Sequence, residues 1–247
     1  MGWPLPEGAV LGVLAERPSV EFVGPLAEGF GPEVAAEIHE AMLLDVLDSW
    51  GSDRVLAPGG RRVVVFAPDD AGPWFDARVP DAFALQPGAP GGLGPATRAF
   101  LAGEIEDGAT RVVVVGADAP ALDPAAVVSA FLALESRDVV LGPASDGGVY
   151  LVGCRNEVPP IFDSLHWGEP TVLVSMIDRL NDTGMSLALL PVGHRVSSPR
   201  DWLVLGGHLR AIRRAGVRPE APRSETLFER THPRSRIRED VQGDPTR

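Results

Sequence analysis

The chain contains no lysine. All 22 basic residues in its 247 positions are arginine. A Schiff-base lysine, a Walker-type phosphate lysine and a lysine general base are therefore excluded. Cysteine is almost absent too: Cys154 stands alone, which excludes an intrachain disulfide and fits a reducing compartment.

Long apolar runs and a basic surface are also missing. No apolar stretch approaches the roughly 18 residues needed to cross a bilayer, and residues 1–8 carry no basic region ahead of a hydrophobic run. The formal charge of −12 would repel nucleic acids and anionic membranes, whereas a divalent cation would be attracted. We therefore expect a cytoplasmic protein with no membrane span and no nucleic-acid partner.

The most informative stretch is a run of four valines at 112–115. Side chains alternate between the two faces of a strand, so an uninterrupted apolar run predicts a central strand covered on both faces. Asp118 lies just beyond its carboxyl end, where open α/β sheets bind ligands. Asp118 is thus the first candidate functional residue, whereas Asp123 ahead of Pro124 is interpreted as a helix cap.

The rest of the chain alternates short strands and helices. Strands are predicted at 9–14, 62–67, 82–86, 138–141 and 187–192, the last as a core strand. Helices are predicted at 32–50, 74–75, 95–101, 123–134, 171–180 and, as the final helix, from Ser198 towards Arg214. The strand, helix and strand between 110 and 141 predict a right-handed crossover with parallel strands, hence an α/β fold.

The chain is predicted to form one domain over residues 1–218. From residue 219 onward it is polar and without periodicity. Residues 219–247 are therefore expected to be a disordered or loosely docked tail, which is dispensable for folding.

Asp146 is the second candidate, because it precedes Gly147, Gly148 and a further apolar run. An Asp-Gly turn in a hairpin explains it as well as a ligand site shared with Asp118, with the glycines keeping the approach open. Both interpretations stand at this point. Because both aspartates follow buried strands, we expect their carboxyl groups to face one cleft, close enough for one hydrated cation to touch both.

Two long motifs carry a resemblance to a known family. Gly116-Ala-Asp-Ala-Pro-Ala-Leu122 is similar to Gly-(Thr/Ser)-Asp-x-Pro-x-Leu, and Gly142-Pro-Ala-Ser-Asp-Gly-Gly-Val-Tyr-Leu-Val-Gly153 is similar to Gly-Pro-Ala-x-Asp-Gly-Gly-Tyr-Tyr-Leu-Ile-Gly. Over about residues 10–205 the chain resembles a bacterial family of glycosyltransferase-like proteins. That family belongs to the nucleotide-diphospho-sugar transferase superfamily and is related to the guanylyltransferases of molybdopterin and phospholactate cofactor synthesis.

The resemblance implies a GT-A-like fold, a three-layer α/β sandwich with a mixed, mostly parallel central sheet. It implies a metal-dependent glycosyltransferase or nucleotidylyltransferase that binds a nucleotide or nucleotide sugar across the strand ends. Asp118, with Asp146 nearby, would hold Mg²⁺ or Mn²⁺ against the donor's diphosphate, a role for which carboxylate oxygens are suited. Contacts to the nucleotide are expected from a further set of residues: Arg17, Gly94, Arg98, Gly147 and Gly148.

Three segments depart from the family pattern. The first loop, Lys-Ala-Pro-x-Pro-Gly-x-x-Lys-Thr-Arg-Leu in the family, reads Glu16-Arg-Pro-Ser-Val-Glu-Phe-Val-Gly-Pro-Leu26 and lacks three cations, which Arg17 or Arg98 would replace only in part. Leu-Gly-Glu-Arg has become Leu93-Gly-Pro-Ala96, and Asp-Val-Asp-Thr-Pro-Glu-Asp has become Arg195-Val-Ser-Ser-Pro-Arg-Asp201. These losses leave open a catalytically inactive binding protein with the same fold. A remoter alternative is an unrelated doubly wound domain in which both aspartates are turn residues.

Overall fold

The structure is a computed structural model that describes residues 8–21, 24–51 and 60–232. These residues form seven β-strands: β1 (Ala9–Glu16), β2 (Arg61–Ala67), β3 (Ala84–Pro87), β4 (Arg111–Gly116), β5 (Val139–Pro143), β6 (Val149–Arg155) and β7 (Leu187–Leu189). They form eight α-helices: α1 (Gly24–Phe30), α2 (Pro32–Gly51), α3 (Gly72–Asp76), α4 (Leu93–Glu106), α5 (Pro124–Ala133), α6 (Val172–Asn181), α7 (Pro199–Arg214) and α8 (Pro222–Thr231). None of the helices in these ranges has both the length and the apolar character needed to span a membrane.

All seven strands belong to one sheet with the order β3-β2-β1-β4-β6-β5-β7. Strand β6 runs antiparallel to its neighbours β4 and β5, whereas the other described pairs are parallel. The sheet is therefore mixed and mostly parallel, which confirms the predicted fold class. The predicted parallel relation of β4 and β5 also holds, although β6 lies between them because the chain turns back after β5 in a hairpin.

The valine run lies at the centre of this sheet and is covered on both faces. Val113 and Val115 pack with α2 and α5 side chains such as Leu43 and Phe131, whereas Val112 and Val114 pack with α4 and α6 side chains such as Phe100 and Met176. The result is three layers, helices on either side of the sheet, as expected for apolar strands without polar interruption.

Two helix starts predicted from the sequence are confirmed by their caps. The Asp123 carboxylate accepts a hydrogen bond from the backbone N–H of Ala125 at the start of α5. Ser198 and Asp201 form a reciprocal capping box at the start of α7. Such caps satisfy backbone groups that the first turn of a helix leaves without partners.

Strand β7 differs from the prediction. Only residues 187–189 form a strand, and it lies at the edge of the sheet with β5 as its one neighbour. Leu189 is 60% exposed and Val192 is 70% exposed, so the predicted core strand at 187–192 was wrong. Helix α1 was also not predicted; it begins within the segment taken for a loop, which ended at Leu26, and has a single buried side chain, that of Leu26.

The predicted tail is wrong for residues 222–231, which form α8, so α7 is not the final helix. Leu227 and Phe228 are buried in a cluster with side chains of α2 and α7. The carboxylate of Asp45 on α2 accepts hydrogen bonds from the backbone N–H groups of Arg223 and Ser224, at 3.0 and 2.7 Å. A distant side chain thus caps α8 and fixes it to the domain. Residues 233–247 of the predicted tail lie outside the described residues.

Candidate functional site

Two adjoining cavities open at the carboxyl ends of neighbouring strands, the smaller at β1 and β4 and the larger at β1 and β2. The smaller has a volume of about 180 Å³ and the larger about 680 Å³. Leu14, Glu16 and Leu93 line both, so they form the boundary between the two. This is the edge of the sheet at which open α/β folds bind ligands, and it is where the sequence places Asp118.

The guanidinium of Arg195 lies between the two candidate aspartates. Its Nε and Nη2 donate to Oδ2 of Asp118 at 2.9 and 2.7 Å, and its Nη1 lies 3.8 Å from Oδ2 of Asp146. The Arg195 side chain is 15% exposed and that of Asp118 is 29% exposed. Burial alone would lower the pKa of Arg195, but the two carboxylates outweigh it and raise that pKa, so the cation is permanent.

Local structure explains why these three side chains meet. Asp146 lies in the β5–β6 hairpin turn and accepts a hydrogen bond from the Gly148 N–H at 2.9 Å. The Val196 N–H donates to the backbone carbonyl of Asp118 at 2.8 Å and so holds the segment carrying Arg195 beside the end of β4. The hairpin interpretation of Asp146 and its position near Asp118 are thus both correct, and the cation between them is a side chain of the protein.

The arrangement does not fit a divalent cation held by Asp118 and Asp146. Mg²⁺ and Mn²⁺ bind through several oxygen ligands, and one oxygen of Asp118 already accepts two guanidinium N–H groups. A metal ion beside these acids would also lie next to the positive charge of Arg195. In the part of the chain that the structure describes, no group of three or more acidic, histidine or cysteine side chains could hold a metal ion.

The three glycines predicted to contact a nucleotide all lie against other parts of the protein. At Gly147, with φ of +86°, a Cβ would lie 2.2 Å from the carbonyl oxygen of Pro170. At Gly148 a Cβ would lie 2.6 Å from Nη1 of Arg195, and at Gly94 it would lie 2.3 Å from Nε1 of Trp167. In this structure, the absence of a Cβ at each of these glycines makes room for other atoms of the protein. A contact with nucleotide remains a prediction for these positions.

The two predicted phosphate-binding arginines differ in position. Arg17 follows β1, lines the larger cavity and lies 3.8 Å from a carboxylate oxygen of Asp70. Arg98 is exposed on α4 and lies outside the linings of both cavities. Arg17 is therefore the better placed of the two to approach a donor phosphate.

His39 is a candidate that the sequence interpretation missed. It lies on α2 and lines the smaller cavity with Glu16 and Asp118. Burial lowers its pKa, although Glu16 and Asp118 oppose this effect, so the imidazole is neutral near pH 7 and is able to accept a proton. A signal was present: His39 precedes Leu43 by one turn and so extends the stripe of α2 that packs on the sheet.

Two buried polar atoms belong to residues that line the smaller cavity. Oδ1 of Asp118 and Nε1 of Trp167 are buried, and neither has a hydrogen-bond partner among the described residues. Buried polar groups in folded proteins are almost always hydrogen-bonded. A bound ligand or ordered water would supply the missing partners.

The larger cavity has a glycine-rich wall that leads into α4. Gly88, Gly91 and Gly92 line it, and Gly92 precedes α4 without a side-chain cap. The open N–H groups and the dipole of a helix start favour anions. The same cavity is otherwise acidic. Among the described residues that line it, Arg17 is basic and four are acidic: Glu16, Glu21, Asp69 and Asp70.

Residues 53–169 match the model of a family described as "Uncharacterized protein conserved in bacteria (DUF2064)". The chain is also 35% identical over 153 residues to the 3-phospho-D-glycerate guanylyltransferase of Phenylobacterium zucineum (strain HLK1), an alignment that covers 60% of this chain and 67% of the relative. The chain belongs to the DUF2064 family. Similarity of this extent also makes the guanylyltransferase a homologue.

Solved structures confirm the fold of this DUF2064 protein. A provisionally named nucleotide-diphospho-sugar transferase of Desulfovibrio desulfuricans G20 is similar over 95% of this chain and 98% of its own, with a TM-score of 0.79 and 23% identity. A CMP:2-keto-3-deoxy-manno-octonic acid synthetase in complex with CTP is similar over 85% of this chain and 99% of its own, with a TM-score of 0.50 and 12% identity. At such identities the likeness concerns the fold alone.

The DUF2064 match covers only part of the site. Asp118, Asp146 and Trp167 lie within the matched residues, whereas His39 and Arg195 lie outside them. The smaller cavity is thus completed by residues of β1, of α2 and of the loop before α7, which lie outside the matched segment.

Proposed function

We propose that this protein is a nucleotidyltransferase. It would transfer the nucleotidyl group of a nucleoside triphosphate to a phosphorylated small-molecule acceptor. The observation that carries the proposal is the pair of adjoining cavities at the carboxyl ends of β2, β1 and β4, with Asp118 and Arg195 on the wall of the smaller one. Homology to a guanylyltransferase favours GTP as the donor and 3-phospho-D-glycerate as the first acceptor to test.

The reaction requires two ligands to meet at one phosphorus atom. An oxygen of the acceptor's phosphate attacks the α-phosphorus of the donor, and the bond from that phosphorus to the bridging oxygen of the β-phosphate breaks. Pyrophosphate leaves with the electron pair, and the product contains a new phosphoanhydride. Catalysis of such a step consists mainly of positioning the two ligands and offsetting negative charge.

The cavities differ in ways that suit these two ligands. The larger, at about 680 Å³, falls within the range of small-molecule sites and has the open α4 N-terminus at its edge. We assign the donor to it, with Arg17 near the phosphates. The smaller cavity contains Arg195 and the neutral His39, which would face the reacting phosphates and the acceptor.

The test is product analysis with a panel of donors and acceptors. The purified protein is incubated with each nucleoside triphosphate and 3-phospho-D-glycerate, and products are identified by mass spectrometry and ³¹P NMR. We expect pyrophosphate and a nucleoside diphospho-linked product, both lost in Asp118→Asn and retained in Arg200→Gln, an exposed site on α7. Release of a nucleoside diphosphate from a nucleotide sugar would instead reveal glycosyl transfer, the other reaction that the family resemblance implies.

One observation favours a second function, nucleotide binding without turnover. The donor cavity contains four carboxylates and one arginine in its described lining, so it repels a triphosphate more than the family's lysine-containing loop would. If the binding-only function is correct, calorimetry will detect nucleotide binding while no acceptor yields a product. Failure to bind any nucleotide would contradict both functions.

A further inference from the structure

Arg195 stands at a position where the family that the sequence resembles has a negatively charged residue. In the family segment that resembles residues 195–201, the position of Arg195 carries an aspartate. In this structure the guanidinium contacts both acids that a metal ion would use, through two hydrogen bonds to Asp118 and an ion pair with Asp146. Arg195 thus places a positive charge at the two acids to which the family resemblance assigns a metal ion.

The position of the guanidinium is built into the fold. Gly148 leaves the space that Nη1 occupies, and the backbone carbonyl of Val149 accepts a hydrogen bond from Nη1 at 3.3 Å. The backbone of the Arg195 segment is held by the Val196 N–H bond to Asp118 and, two residues before Arg195, by the Gly193 N–H bond to Pro143 at 2.8 Å. A side chain held by two strand ends is a fixed part of the site, unlike a mobile surface arginine.

The guanidinium also has N–H groups left over with which to bind a ligand. Of its five N–H groups, two bond Asp118 and one bonds Val149. The other two have no hydrogen-bond partner among the described residues, and Arg195 lines the smaller cavity. A planar guanidinium is well suited to phosphate oxygens, which it binds with charge-assisted hydrogen bonds.

We propose that Arg195 replaces the divalent cation at the Asp118–Asp146 pair and presents positive charge to the donor's phosphates. The choice of a nucleotide as the ligand of Arg195 rests on the proposed nucleotidyltransferase function. The statements about metal binding do not depend on that function. The proposal makes two claims: the pair holds no metal ion in the wild-type protein, and replacing the guanidinium by a third carboxylate creates a site for one.

The first experiment uses Mn²⁺ alone, followed by electron paramagnetic resonance without nucleotide. Wild type and Asp118→Asn should show the same weak binding that any acidic surface gives. Arg195→Asp should bind one Mn²⁺ at least about tenfold more tightly, and adding Asp118→Asn should abolish that gain. Arg200→Asp, at an exposed position on α7, is the matched control for the same change of two charge units, and it should behave as wild type. A Mn²⁺ ion that binds wild type and is released by Asp118→Asn would overturn the proposal.

The second experiment measures GTP affinity by calorimetry in EDTA. Arg195→Gln should weaken binding by about tenfold or more, as expected for loss of charge-assisted hydrogen bonds, whereas Arg200→Gln should not. Added Mn²⁺ should restore affinity to Arg195→Asp and not to Arg195→Gln. Equal GTP affinities of wild type and Arg195→Gln would refute the role of Arg195. Absence of product in the wild type would remove the proposed function but leave the Mn²⁺ result intact, so the two failures are distinguishable.

Discussion

Substituting Phe228 tests whether α8 belongs to the folded domain. Its ring is 3% exposed and lies 5.9 Å, centroid to centroid, from that of Trp202. The guanidinium carbon of Arg210 lies 4.8 Å from the ring centre. Gly206 on α7 makes this packing possible, because a Cβ there would lie 2.1 Å from the ring.

The expected loss follows from this burial. Replacing a fully buried phenylalanine by alanine costs about 3 to 5 kcal/mol of unfolding free energy, since the lost apolar contacts are joined by a residual cavity. For a domain of this size each kcal/mol lowers the melting temperature by roughly 2 to 4 °C. Phe228→Ala should therefore melt about 6 to 20 °C below wild type.

The measurement is thermal unfolding followed by circular dichroism, with urea unfolding as a second probe. Leu203→Ala is the matched control, because Leu203 is a large apolar residue on α7 that is 47% exposed. It should change stability by no more than about 0.5 kcal/mol. If Phe228→Ala and Leu203→Ala melt at the same temperature, α8 does not dock in solution and the expectation of a dispensable tail is restored.

Two further predictions concern the site. Gly148→Ala places a Cβ 2.6 Å from Nη1 of Arg195, which would push the guanidinium out of its position without a clash against the backbone, so GTP affinity should fall by about tenfold with the melting temperature nearly unchanged. Gly207→Ala, with nothing within 4 Å of its Cβ, should leave affinity unaltered, and equal affinities for the two variants would refute the argument. Burial lowers the pKa of His39, so its contribution to stability is present above the ordinary value of about 6.5 and is lost as pH falls through the folded value. His39→Gln should lose less stability than wild type between about pH 7 and pH 5 in urea unfolding; an equal loss would show that His39 is not buried neutral.

The sequence by itself determined the fold class and most of the elements, although not α1, α8 or the extent of β7. The apolar run at 112–115 predicts a strand buried on both faces without reference to any other segment, and Asp123 before Pro124 predicts a helix start from two adjacent residues. Even the position of Asp118 at a strand's carboxyl end follows from counting along the chain. These are local properties, which depend on side-chain periodicity and on backbone groups within a few residues.

The tertiary structure alone decided which charges meet. Arg195 and Asp118 are 77 residues apart, and their contact depends on the loop before α7 folding back to the end of β4. Likewise His39 reaches the smaller cavity only because α2 packs across the sheet. Helix α8 is fixed by Asp45, which accepts a hydrogen bond from the backbone N–H of Arg223, 178 residues further along the chain. No periodicity records such pairs, since the distance along the chain carries no information about where two packed elements bring their side chains. That is why a site expected to hold a metal ion proved to contain an arginine.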